Sequence, residues 1–198
     1  YTLWENVRGT SEEDSQVMMD MTKCLPPVLL DAEECSDARR PRKFWPNWTV
    51  QTRPWEHWTL KDPCDHLQNW ASLPSSPPWG STGFILYGER MVTRTCPGEW
   101  SAVPTFRTKG LERADKHTIA RWKQDGYRLS TFQYEAETLL WKGDDWRLPF
   151  PDELDELLGF PRGYTGVAGA TGLQREQLLG NTMHVAAVVR LLEDSHAN

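Results

Sequence analysis

The pattern of apolar and polar positions divides the chain into two ordered ends and a punctuated middle. Val17, Met18, Met21 and Leu25 follow at helical spacing behind Ser11-Glu12-Glu13-Asp14, where a hydroxyl cap and first-turn acid mark a helix start, and Pro26-Pro27 closes the run. A helix over about 11–23 is predicted. Val28-Leu29-Leu30 and Lys43-Phe44-Trp45 are short apolar runs of strand type, an antiparallel pair that would close a sheet edge. From 46 to 100 the chain is broken by Pro and studded with Trp, so regular elements there must be short. Phe84-Ile85-Leu86-Tyr87 and Met91-Val92-Thr93 read as strands around a Gly88-Glu89 turn, and Asp115 to Gln124 as a helix stopped at Gly126. Thr131-Phe132-Gln133-Tyr134 and Thr138-Leu139-Leu140-Trp141 read as a hairpin. Pro151 opens a helix with Asp152-Glu153 at its positive end and Gly159 at its stop. A final helix, about Gln174 to Glu193, carries Val185, Val188, Val189 and Leu192 and is broken in character at Gly180-Asn181.

Composition changes the picture in two places. With 198 residues, 25% charged and 38% hydrophobic, the chain can bury a sizeable core. No run of eighteen apolar residues occurs, so no membrane span is expected, and Tyr1-Thr2-Leu3-Trp4 reads as a fragment entered inside a strand. Cys24, Cys35, Cys64 and Cys96 lack paired C-x-x-C spacing, which favours reduced thiols in an intracellular protein. The formal charge of −6 argues against a nucleic-acid partner, but its distribution does not. Residues 37–61 hold six basic side chains against two acidic, and residues 88–128 nine against five, each a net +4. Two basic stretches of that kind can form a phosphate-facing surface, although scattered solvated charge gives the same count.

Four signals in a fixed order carry the chemistry: Glu5-Asn6-Val7, the Arg-x-Arg of Ser36-Asp37-Ala38-Arg39-Arg40-Pro41-Arg42, Gly159-Phe160-Pro161, and Gly180-Asn181. In this order and at these separations they resemble the later motifs of the DNA (cytosine-5) methyltransferases, closest in pattern to the de novo type. Ala38 stands where the family often has Gln. The resemblance implies a transfer of methyl from S-adenosylmethionine to C5 of a flipped cytosine. C5 is a poor nucleophile, and an added thiolate at C6 together with an acid near N3 makes it carbanion-like. By that resemblance Glu5 is the acid, Arg42 contacts the cytosine O2, and Arg40 braces the nucleophile's loop. Asn6, Gly180, Asn181 and Thr182 would line the cofactor. Arg94, Thr105, Arg107 and Lys109, in Thr93-Arg94-Thr95 and Thr105-Phe106-Arg107-Thr108-Lys109-Gly110, would contact DNA.

The implied fold is α/β: the C-terminal part of a Rossmann-like methyltransferase sheet with an inserted irregular target-recognition domain. Residues 1–50 would be later strands of the catalytic domain, 51–146 the recognition domain, and 147–198 the closing part. Double-stranded DNA and an N-terminal half of the same protein are the implied partners. Pro63-Cys64 lies downstream of the Arg-x-Arg, the wrong side for the family's nucleophile, so the Cys is expected in that half and the fragment alone is expected to be inactive. The cluster Cys64-Asp65-His66 with His57 has no second pair at ligand spacing, so no metal is expected. A catalytically silent DNA-binding or regulatory relative would retain the same scaffold and stands as the alternative.

Overall fold

The computed structural model describes residues 1–50, 85–86, 91–92, 110–167 and 169–196. Its first sheet is built from β1 (Leu3–Val7), β2 (Val28–Asp31) and β4 (Pro41–Pro46) in the order β1-β4-β2. β4 is antiparallel to both neighbours, with Glu5 opposite Phe44 and Phe44 opposite Val28. β1 and β2 therefore run parallel, joined by α1 (Glu12–Thr22), and β4 fills the place between them. This is the mixed α/β arrangement, and the expected pairing of the Val28 and Lys43 runs holds. β3 (Ala38–Arg39) instead pairs in parallel with β6 (Met91–Val92).

α1 starts where the side chains dictate. The Ser11 hydroxyl accepts from the Asp14 N–H, and Lys23 ends the helix at positive φ with its N–H on the Met19 carbonyl. Its buried side differs from the expected one. Ser15 is buried, its hydroxyl donating to the Ser11 carbonyl, while Val17 and Met21 are 50% and 78% exposed. Lys43 from β4 reaches the same end, donating to the Thr10 carbonyl at 2.7 Å. Polar anchoring of the first turn thus orients the helix and overrides its apolar stripe.

The pleat places Leu3, Glu5, Phe44, Arg42 and Leu30 on one face of the sheet, and Trp4, Asn6, Trp45 and Lys43 on the other. The first face is covered by α5 (Val185–His196): Leu30, Phe44, Trp48, Ala187 and Leu191 form a buried cluster, and the Trp48 indole donates to the Leu191 carbonyl at 2.9 Å. The expected inner positions included Leu192, which is exposed, whereas Ala186 and Ala187 are buried. Small side chains let this helix lie close to the sheet.

The predicted final helix is two: α4 (Gly172–Gly180), capped by reciprocal bonds between Thr171 and Gln174, and α5 after the Asn181 turn. α3 (Pro151–Leu157) opens on Pro, and the Glu153 carboxylate accepts from the Phe150 N–H while forming a two-pronged pair with Arg147. Gly159 takes φ +84° after it, the left-handed conformation that a helix stop requires.

Two expectations in the middle change. Thr131–Tyr134 is a 3-10 turn, held because the buried Tyr134 donates its hydroxyl to Asp125 at 2.6 Å, and does not pair with the following strand. That strand, β7 (Leu140–Lys142), pairs with β8 (Asp145–Arg147) across Gly143-Asp144, with Gly143 at φ +60°. β5 (Ile85–Leu86) pairs with β7 and β6 with β3, so the two strands belong to different sheets; the intervening Gly88-Glu89 lies outside the described residues. α2 (Lys116–Gln124) forms as expected, its Asp115 cap accepting from the Thr118 N–H at 2.7 Å. Among the described residues no helix is long and apolar enough to cross a membrane.

Candidate active site

The Arg-x-Arg brings two guanidinium groups to one region: Arg40 immediately precedes β4 and Arg42 is its second residue. The first is pinned by its backbone, the Arg40 N–H donating to Asp31 Oδ1 at 2.7 Å. The second stands beside β1, whose Glu5 lies on the same face.

Arg42 Nε lies 2.8 Å from Glu5 Oε1, and the two side chains keep only 11% and 14% of their surface exposed. The contact is close but off-axis, so Oε1 is buried and receives no well-aligned hydrogen bond. A donor such as an exocyclic amino group has an acceptor to meet there. Burial raises the Glu5 pKa above the ordinary carboxylate value, opposed by the charges of Arg42 and Arg40 and by the Arg42 contact. A carboxyl in that position is closer to holding a proton at neutral pH than a solvated one. Burial lowers the Arg42 pKa and Glu5 pulls it back. Burial likewise brings Arg40 down to about 10, helped by Arg42 and opposed by Glu5, which leaves it cationic at neutral pH.

Arg40 itself is 2% exposed and reaches across 140 residues of sequence to the end of α4. Its Nη2 donates to the Gly180 carbonyl at 2.8 Å and the Thr182 carbonyl at 2.5 Å. The structure therefore brings Glu5, Arg40 and Arg42 together with Gly180, Asn181 and Thr182. Gly180 is buried, Thr182 half-buried and the Asn181 side chain exposed. Asn6 is exposed on the opposite face of the sheet, opposite Lys43, apart from this group. Arg94, Thr105, Arg107 and Lys109 lie outside the described residues, as do Cys64 and Cys96.

Cys24 and Cys35 are buried free thiols. Burial, with the charges of Glu34 and Asp31, pushes the Cys35 pKa up to about 12, so that thiol is no nucleophile. Among the described residues no group of three His, Cys, Asp or Glu could hold a metal ion.

Sequence reasoning passed over His184, which packs under the site. It is 3% exposed, and its Nε2 lies 3.1 Å from the Leu157 carbonyl while its buried Nδ1 has no hydrogen-bond partner. Burial lowers its pKa from 6.5 to about 4; the Leu157 carbonyl opposes this and the nearby Arg40 charge adds to it. Protonation would require a second N–H with nowhere to donate. The folded state thus refuses a proton that the unfolded chain accepts. Its contribution is constant above the unfolded value of 6.5 and is lost as pH falls from there towards about 4. We expect the stability of the wild type towards denaturant to fall as pH drops through that window and His184→Gln to remove most of the slope; parallel profiles would refute the imidazole's part. The signal available in the sequence was only a His three residues after Asn181.

No protein-family model matches the chain. It is similar to the DNA (cytosine-5)-methyltransferase DRM1 of Arabidopsis thaliana, at 25% identity over 170 residues, which cover 82% of this chain and 24% of that protein. The chain spans about a quarter of that relative's length. Among solved structures it is similar to the methyltransferase EhMeth of Entamoeba histolytica, with 14% identity, a TM-score of 0.46, and 97% of this chain and 61% of that one covered. A DNMT2 mutant of Spodoptera frugiperda shows 16% identity and a TM-score of 0.45, with 97% and 65% covered. The S. pombe Dnmt2 methyltransferase shows 15% and 0.44, with 98% and 63% covered. The resemblance first met in four short motifs therefore extends over most of the chain, as a likeness to part of a DNA (cytosine-5)-methyltransferase.

Proposed function

We propose that the chain is the C-terminal part of a DNA (cytosine-5)-methyltransferase, working on a cytosine flipped from double-stranded DNA. The observation that carries this reading is the convergence of Glu5 and Arg42, from strands 37 residues apart in sequence, at 2.8 Å on one face of one sheet. An acid and a permanent cation side by side suit a pyrimidine whose N3 and amino group meet the carboxyl and whose O2 meets the guanidinium. The raised Glu5 pKa supports protonation of N3 by this residue as a thiolate adds at C6. The proton taken up at N3 neutralises the charge that the thiolate brings into the ring, leaving Glu5 as the carboxylate and an enamine whose C5 is the nucleophile. Arg42, freed from Glu5, holds the O2 oxygen.

S-adenosylmethionine, when bound, supplies the methyl group. The Asn181 amide and the Thr182 hydroxyl, beyond the end of α4, offer the donors and acceptors that suit a charged amino-acid end. In this reading the sheet β1-β4-β2 with α4 and α5 is the later part of a Rossmann-like fold, residues 51–146 are the target-recognition region, and an upstream half brings the Cys nucleophile. Intracellular action, in a nucleus where there is one, goes with a DNA substrate.

The test is methyl transfer by the protein containing the upstream half, with labelled S-adenosylmethionine and duplex DNA, the product being read as 5-methylcytosine by mass spectrometry. DNA binding without 5-methylcytosine would assign the chain to a silent relative; transfer to cytosine C5 is the expected result.

A further inference from the structure

A buried guanidinium is costly unless its donors are used, and the Nη2 of Arg40 is used in an unexpected place. Its Nη2 serves the carbonyls of Gly180 and Thr182, the residues on either side of Asn181. These lie at and just beyond the C-terminal end of α4, where backbone acceptors point away from the helix and a cation is favoured by its dipole. The other end of Arg40 is equally fixed. Its N–H is held by Asp31 on β2, its carbonyl accepts from the Ala32 N–H at 3.4 Å, and two residues on Arg42 is paired with Glu5.

We propose that Arg40 is a positioning residue that seats the Asn181 turn against the strand delivering Arg42, so that one buried cation sets the distance between the cofactor side and the base side of the site. The inference rests on the function proposed above and extends it: the resemblance assigned Arg40 to a loop outside this chain, whereas here its donors go to the turn before α5. The exposed Asn181 side chain is presented by a backbone clamped at both neighbours. A lysine would carry the charge but not the planar Nη2 group whose two N–H bonds are aimed at the two carbonyls, and a methionine would fill the space with neither charge nor donors.

The experiment compares Arg40→Met and Arg40→Lys with wild type in the full-length protein, using S-adenosylhomocysteine and duplex DNA as separate titrants. Arg40→Met is expected to weaken S-adenosylhomocysteine binding about tenfold, as the loss of charge-assisted hydrogen bonds implies, while changing DNA affinity by about twofold or less. Arg40→Lys should fall between the two, and carries the same test where Arg40→Met does not fold. Amide exchange should quicken at Thr182 and Met183 but not in α2. Folded Arg40→Met with wild-type affinity, or exchange quickened equally throughout, would overturn the proposal. Failure of the wild type itself to bind S-adenosylhomocysteine would instead overturn the methyltransferase reading beneath it, a result separate from any effect of Arg40.

Discussion

Glu5→Gln is expected to lower methyl transfer by about a hundredfold to ten-thousandfold, the range general acid catalysis spans, while leaving DNA binding within a fewfold of wild type. The amide keeps the size of the side chain and can still accept from a base's amino group, but it cannot give N3 a proton. The variant also leaves the Arg42 guanidinium, 11% exposed, without its anion. Some loss of stability must therefore be separated from loss of chemistry by measuring rates on protein shown to be folded. The rate profile against pH gives a second check. Glu5 has its pKa raised by burial against the pull of Arg42 and Arg40; as a proton donor it must hold its proton to act, so the fall in rate with rising pH that it controls should lie above the range of a solvated carboxylate and disappear in Glu5→Gln. Equal transfer rates in the two folded proteins would remove Glu5 from the mechanism.

The second large effect concerns the architecture that holds α4 in place. Asp155 on α3 is 0% exposed. One of its oxygens accepts from the Thr165 hydroxyl at 2.8 Å and the other from Arg175 Nη2 on α4 at 2.8 Å. Arg175 also donates from Nε to Thr165 at 3.0 Å and pairs with Asp152, the contact that chiefly raises its pKa. Arg175→Met would strand a buried carboxylate with only a threonine beside it, and is expected to cost about 3 kcal/mol, the penalty of breaking a buried pair from one side. For a chain of this size that is roughly a 10 °C fall in Tm. The double change Arg175→Met with Asp155→Asn should cost less than the two single changes added, because the stranded charge is gone. A loss below about 1 kcal/mol for Arg175→Met would show that Asp155 finds another partner.

What the sequence revealed follows the range of the forces involved. The Ser11 cap, the helix start at Asp115, the Pro151 start and the Gly159 stop are settled by groups within four residues of each other, and each stands within a residue of where it was expected. The α1 stripe misled because Val17 and Met21 obey helical spacing while Ser15 and Lys43 decide which side packs. Thr131–Tyr134 has the β-branched and aromatic composition of a strand, but the Tyr134 hydroxyl finds Asp125 and Leu129 across a turn that no alternation encodes. The candidate site was legible through resemblance, which supplied the partnership of Glu5 with Arg42 before any geometry could. That β4 would pass between β1 and β2, or that Arg40 would reach Gly180 and Thr182, is a matter of sheet order and lies beyond local pattern.

The cover over the sheet arrives late. Phe44 and Leu30 wait for Ala187 and Leu191, and Arg40 waits for carbonyls 140 residues further along the chain. At the ribosome's pace of about 5–20 residues per second, the sheet emerges roughly ten seconds before the helix that shields it. For that interval its greasy face and a cation without its acceptors stand open together. Newborn chains are in this respect most vulnerable where the finished protein would do its chemistry, and a chaperone that recognises apolar strands beside positive charge would find its opening there.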